Sequence, residues 1–191
     1  MNILVVCTGN ICRSPMGEIV LRAQLAAAGV AAEVSSAGVS AEESGNYIDR
    51  RAAQELRRNG YQVPEVHHAH QVTASELRAA DLVLAMTVGH ARSLRATMAR
   101  LGIDTEKLHL WREFDGTTAV APQGAFGPGG PLANAQPKKR SRFADFYTSD
   151  GSLDVPDPWY STDQSGFTAT LDTVEAGARG IVNWLSAQTS D

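Results

Sequence analysis

The sequence predicts an α/β protein in which a parallel sheet is covered by helices on both faces and a phosphate-binding loop follows the first strand. Two observations carry this. Strand candidates alternate with helical patterns along most of the chain, and strands joined through helices run parallel. The first strand also leads straight into Cys7-Thr8-Gly9-Asn10-Ile11-Cys12-Arg13-Ser14-Pro15, after which a helical pattern begins. Strand, tight loop and helix N-terminus in that order make an anion site, because loop N–H groups converge and the helix dipole favours negative charge.

The elements follow in order. Strand candidates are Asn2–Val6, Glu33–Ser36, Leu82–Met86 and Leu108–Trp111. Between them, Gly17–Ala28 is rich in Ala and Leu and stops at Gly29, Arg50–Asn59 stops at Gly60, and Val88–Leu101 stops at Gly102. Glycine just past a helix end accepts the left-handed conformation that closes it. Thr73–Ala80 opens with Thr-Ala-Ser-Glu, a capping-box pattern. Phe167–Leu185 is the last and longest helical stretch. Ligands of such sheets bind beyond the carboxyl ends of the strands, where Cys7 stands.

The 191 residues predict one domain, 1–191, with 43% apolar and 20% charged residues and a net charge of −4. That charge gives no pull toward nucleic acid or acidic membranes. No apolar run reaches the length of a membrane span, and the apolar N-terminal run is interrupted at Cys7-Thr8-Gly9, so a cytoplasmic protein is expected. With two cysteines, Cys7 and Cys12, a disulfide scaffold is excluded. No metal or cofactor is expected: His68 and His70 lack an acidic or cysteine partner at ligand spacing. From about 116 to 150 the periodicity lapses. Gly124–Pro131 is rich in Gly and Pro, and Lys138-Lys139-Arg140-Ser141-Arg142 precedes Phe143, Phe146 and Tyr147. This reads as a flexible insertion. Docking of its basic cluster on an acidic partner or a membrane surface is the less favoured reading.

The loop has the parts for phosphoryl chemistry. A cysteine facing a helix N-terminus and an arginine sits where its thiolate is favoured. Arg13 can hold two phosphoryl oxygens at once, a geometry lysine lacks. Gly9 leaves room for the backbone to curl, and Asn10 tolerates a left-handed conformation. Ser14 has two candidate roles, capping the helix or donating to the Cys7 sulfur. Pro15 fits a first helical turn.

This string resembles the signature of the low-molecular-weight protein tyrosine phosphatases. Val155-Pro156-Asp157-Pro158-Trp159-Tyr160 is similar to the family's late Asp-Pro-aromatic motif, and Ser35-Ser36-Ala37-Gly38, Gly45-Asn46-Tyr47-Ile48-Asp49 and Asp81–Met86 are also similar. The resemblance covers nearly all of 1–115 and 153–186. It implies four parallel strands and hydrolysis of phosphotyrosine in proteins through a cysteinyl-phosphate. It implies Cys7 as nucleophile, Arg13 as clamp and Asp157 as general acid, with Thr8, Gly9, Asn10, Ile11, Cys12, Arg13 and Ser14 around the phosphate. A protonated Asp157 would supply the phenolate leaving group with its proton and then act as base toward water. Asp154 is the nearest competitor but lacks the following proline and aromatic pair. Trp159 and Tyr160 would flank the substrate ring. Ser36 and His67 would support the loop, His67 near Asn10. Cys12 would trap oxidised Cys7 as a disulfide, with a buried packing residue as the competing reading.

Several positions bear on substrate. Ile11 stands where a protein-arginine phosphatase of the same fold carries threonine, and an apolar wall there suits a phenyl ring. Glu42 stands where many members place an aromatic wall, so the cleft should stack a ring less well. His70 stands where arginine is common. Arsenate reduction on this fold needs distal redox cysteines, which this chain lacks. The implied partners are a phosphotyrosine protein and a tyrosine kinase. The oligomeric state stays open.

Overall fold

The computed structural model describes residues 1–135 and 151–188. Four strands form one parallel sheet in the order β2-β1-β3-β4: β1 Asn2–Cys7, β2 Glu33–Gly38, β3 Leu82–Ala85 and β4 Leu108–Leu110. The register pairs Cys7 with Gly38 and Ile3 with Leu82. The helices are α1 Arg13–Ala28, α2 Arg50–Arg58, α3 Ala74–Ala79, α4 Val88–Arg100 and α5 Ser165–Gln188.

Side chains alternate across a strand, and β1 divides the core accordingly. Ile3, Val5 and Cys7 face a cluster with Met16 and Leu21 of α1, Leu56 of α2, and Phe167 and Val174 of α5. Leu4 and Val6 face the other cluster, with Leu77 of α3 and Val88, Leu94 and Met98 of α4. Every residue of β3 is buried, as expected of an interior strand covered on both faces.

The stop and start signals act as the sequence suggests. Gly29, Gly60 and Gly102 take left-handed φ values of 69°, 84° and 64°. Thr73 and Glu76 form a reciprocal capping box on α3. Asp49 caps α2 by accepting from the N–H groups of Arg51 and Ala52. Helix α1 begins at Arg13, continuous with the loop, so Ser14 and Pro15 stand in its first turn and the Ala- and Leu-rich stretch forms its body. No helix among the described residues is long and apolar enough to cross a membrane.

The stretch expected to be a flexible insertion divides in two. Residues 116–135 are not a detached linker. Ala121, Ala125 and Leu132 are buried, the Ala125 N–H donates to the Leu108 carbonyl at 2.8 Å, and the Leu132 N–H donates to the Ala125 carbonyl at 2.8 Å. The Arg95 guanidinium lies 4.5 Å from the centre of the Phe126 ring. Small residues and turn glycines here hold the chain against β4 and α4, a packing role that leaves no periodicity. The basic cluster with Phe143, Phe146 and Tyr147 lies outside the described residues.

Candidate active site

The chain leaves β1 at Cys7, turns at Asn10, the one non-glycine residue with positive φ (61°) among those described, and enters α1 at Arg13. The loop carbonyls are bonded outward. Cys7 O accepts from Val39 N–H (2.9 Å), Thr8 O from Ser40 N–H (3.0 Å), Ile11 O from Asp49 N–H (2.9 Å) and Cys12 O from Met16 N–H (3.1 Å). His67 Nε2 donates to Asn10 O at 2.8 Å. In a trans peptide the C=O and the next N–H point opposite ways. The N–H groups of Thr8, Gly9, Ile11, Cys12 and Arg13 are therefore turned away from those partners, toward the concave side. A Cβ at Gly38 would come within 2.5 Å of the Thr8 carbonyl oxygen, so only glycine lets β2 run this close under the loop.

Side chains brace the turn from below. Asn10 Nδ2 donates to Ser14 Oγ (3.0 Å) and Ser36 Oγ (2.9 Å), and Asn10 Oδ1 accepts from the His70 N–H (3.3 Å). Ser36 Oγ donates in turn to Glu18 Oε2 at 2.6 Å. Ser14 Oγ, already accepting from Asn10, is 3.0 Å from Cys7 Sγ and 3.2 Å from Ala37 O, so its one proton goes to the sulfur or that carbonyl. Ser14 is not the helix cap: the residue before the helix is Cys12, which makes no side-chain cap.

Asp157 is brought over the loop. Its Oδ2 accepts from Arg13 Nη2 at 2.7 Å and its Oδ1 from Trp159 N–H at 3.1 Å. The latter bond starts a short 3-10 turn, Pro158–Tyr160. Asp154 is used elsewhere: buried, it accepts from the N–H of Val88 at 2.7 Å, the first residue of α4. Cys7, Thr8, Gly9, Ile11, Cys12, Arg13, Glu42, Asp157, Trp159 and Tyr160 share one cavity. Asn10, Ser14, Ser36 and His67 lie beneath it as supports. Trp159 and Tyr160 are 44% and 70% exposed and so form its rim.

The two cysteines differ in environment. Both are free thiols and buried. Burial, then the nearby Asp49 carboxylate, pushes the Cys12 thiol well above its ordinary range, so it stays protonated. Cys7 Sγ has the Ser14 hydroxyl within hydrogen-bond reach.

Sequence reasoning missed four participants. Glu43 joins Glu42 at the mouth of the cavity. Glu18 anchors Ser36 and also pairs with Arg22, and its place four residues after Ser14 on one helix face was an available signal. Arg51 lies beneath the rim, 5.6 Å from the Trp159 ring centre and 4.7 Å from that of Phe167. His90, fully buried on α4, reaches Thr8 Oγ1 at 2.8 Å. Nothing in the local sequence announces the last two.

Residues 2–122 match the family model described as low molecular weight phosphotyrosine protein phosphatase. The chain belongs to this family. It is 34% identical over 187 residues to Low molecular weight protein-tyrosine phosphatase A of Mycobacterium tuberculosis, covering 97% of this chain and 91% of that one. The crystal structure of a family member from Vibrio cholerae O395 superposes with a TM-score of 0.70 at 26% identity, covering 98% of both chains. The YwlE arginine phosphatase of Geobacillus stearothermophilus shares the fold, with a TM-score of 0.68 at 23% identity over 98% of this chain and 94% of that one.

Proposed function

We propose that this protein is a protein-tyrosine phosphatase working through a cysteinyl-phosphate. The observation that carries the proposal is the convergence of Cys7, Arg13 and Asp157 on one cavity floored by inward-turned loop N–H groups. Cys7 Sγ attacks phosphorus and the bond to the phenolic oxygen breaks. The loop N–H groups and the Arg13 fork hold the equatorial oxygens as charge spreads over them. Asp157, protonated, gives its proton to the leaving oxygen. As a carboxylate it then takes a proton from water, which attacks phosphorus and breaks the P–S bond, releasing phosphate and returning the Cys7 thiolate. Ser14 donates to the sulfur as it leaves phosphorus. Arg13 turns its donors to the phosphoryl oxygens when substrate binds, which releases Asp157 from their ion pair.

Ile11, Trp159 and Tyr160 supply apolar and aromatic wall for a phenyl ring. That favours phosphotyrosine over phosphoarginine, since the Ile11 side chain offers a guanidinium no hydrogen bond. Arsenate reduction lacks support, since Cys12 is the one cysteine besides Cys7. The natural counterpart in this reading is a cytoplasmic tyrosine kinase and its phosphorylated products. The test is turnover of phosphotyrosine, phosphoserine and phosphoarginine peptides by wild type and Cys7→Ser. Selective release of phosphate from phosphotyrosine, abolished in Cys7→Ser, is expected. Preference for phosphoarginine, or wild-type rates in Cys7→Ser, overturns the reading.

A further inference from the structure

Thr8 and His90 make a contact that the mechanism above does not use. The His90 ring is buried completely, its Nε2 is 2.8 Å from Thr8 Oγ1, and its Nδ1 has no protein hydrogen-bond partner among the described residues. Arg13 Nη2 donates to the same Thr8 oxygen at 3.4 Å. Thr8 lines the catalytic cavity.

Which way the proton points decides what Thr8 can do. Burial, and then the Arg13 charge, hold His90 well below the ordinary imidazole range, so the ring is neutral and carries one N–H. If that hydrogen were on Nδ1, it would be a buried donor with no partner, and Thr8 would spend its own hydrogen on Nε2. A lone pair of Thr8 would then face the anion. If the hydrogen is on Nε2, the buried atom left over is a bare nitrogen, and orphaned donors are the rarer defect. Thr8 Oγ1 then accepts from both His90 and Arg13, filling its two lone pairs, and its hydroxyl hydrogen has only the cavity side left to serve.

We propose that His90 is a positioning residue that holds the Thr8 hydroxyl as a hydrogen-bond donor to the bound phosphoryl group, a side-chain donor added to the loop N–H groups. The inference rests on the reading of the cavity as a phosphoryl site. It assigns α4 a part in the site, because His90 reaches the loop from the third residue of that helix, where the Thr87 side chain caps its N–H at 3.1 Å.

The probe is inorganic phosphate, read as the competitive inhibition constant against a small aryl phosphate. Thr8→Val keeps the shape and removes the hydroxyl, and it should weaken phosphate by about ten- to a hundredfold, the scale of one hydrogen bond to a charged group. Thr8→Ser should restore most of the affinity. His90→Gln, which can present an amide N–H near the place of Nε2–H, should retain phosphate binding, whereas His90→Met should lose as much as Thr8→Val. The double variant Thr8→Val/His90→Met should be no weaker than Thr8→Val alone, since His90 acts through Thr8. Nitrogen-15 NMR of labelled histidine in the unaltered protein should show Nε2 protonated and Nδ1 bare, a readout that needs no folded His90 variant. An Nδ1–H tautomer, or Thr8→Val binding phosphate as tightly as wild type, overturns the inference while leaving the phosphatase reading intact. A wild-type protein that neither binds phosphate nor turns over the aryl ester overturns both.

Discussion

Asp157 Oδ2 and Arg13 Nη2 are 2.7 Å apart, so the candidate acid and the candidate phosphate clamp hold each other across the mouth of the loop. The Arg13 side chain is 7% exposed and that of Asp157 32%, which makes the acid the more accessible end of the pair. Asp154, three residues earlier, is bound to the start of α4 and cannot serve both places.

This separates the two carboxylates by experiment. Asp157→Ala should lower kcat by about two to four orders of magnitude on poor leaving groups, and less on those that need no proton. Asp154→Ala should cost about 1–2 kcal/mol of stability, the scale of a lost helix cap, and leave the leaving-group dependence unchanged. Urea unfolding and a series of aryl phosphates check both. A leaving-group effect in Asp154→Ala and none in Asp157→Ala would reverse the assignment.

His70 and Glu76 form a pair at 2.7 Å. Burial pulls His70 down, but hydrogen bonds to Glu76 and the His68 carbonyl outweigh it, and the imidazole is raised above its ordinary 6.5. Burial pushes Glu76 up, but hydrogen bonds from Thr73 and His70 outweigh it and hold it below 4.5. A raised histidine contributes stability that is complete below its unfolded value and fades as pH rises through the folded one. A lowered carboxylate loses its share as pH falls through its folded value. His70→Gln should therefore destabilise more at pH 6 than at pH 9. Equal losses in urea midpoint at the two pH values would show that the charge on His70 contributes nothing.

Leu132 tests the packed part of the segment that reads as a loop. It is 4% exposed and belongs to the α4 side of the core. Leu132→Ala should cost about 2–4 kcal/mol, in the range of buried leucine truncations. A loss under about 0.5 kcal/mol, the scale of ordinary surface changes, would mean that this residue is not part of the cooperative core.

Oxidation tests Cys12. Peroxide should convert the Cys7 thiolate to the sulfenic acid, and the Cys12 thiol should then displace water to form a disulfide that thiol reductant reverses. Cys12→Ser lacks the capturing thiol, so less activity should return after matched exposure. Equal recovery in both proteins would leave Cys12 with a packing role only.

Much of the site was legible because its signals are local. The string from Cys7 to Pro15 places the candidate nucleophile, turn and helix start within nine residues, and Asn10 takes the left-handed turn that its residue type allows. His67 and Ser36 were reachable only through resemblance, since nothing local says that a loop and a strand 57 and 26 residues from Asn10 will meet it. His90 had no signal at all: 82 residues separate it from Thr8, and burial makes it look like core. The segment at 116–135 misled for a different reason. A backbone bond to β4 and small buried alanines hold it, and neither leaves a repeating apolar pattern.

The strand order has a consequence for how the molecule comes apart. Strand β1 lies between β2 and β3, so the candidate phosphate loop springs from an interior strand bonded along both edges. Asp157 instead sits on a short turn whose aromatic residues are half in solvent. Regions with few buried contacts open at lower free energy than sheet interiors, and their amide hydrogens exchange first. As denaturant rises, the turn bearing the acid should therefore open while the loop is still folded. Over that range phosphate binding should persist after turnover is lost, so ligand retention is expected to outlast activity.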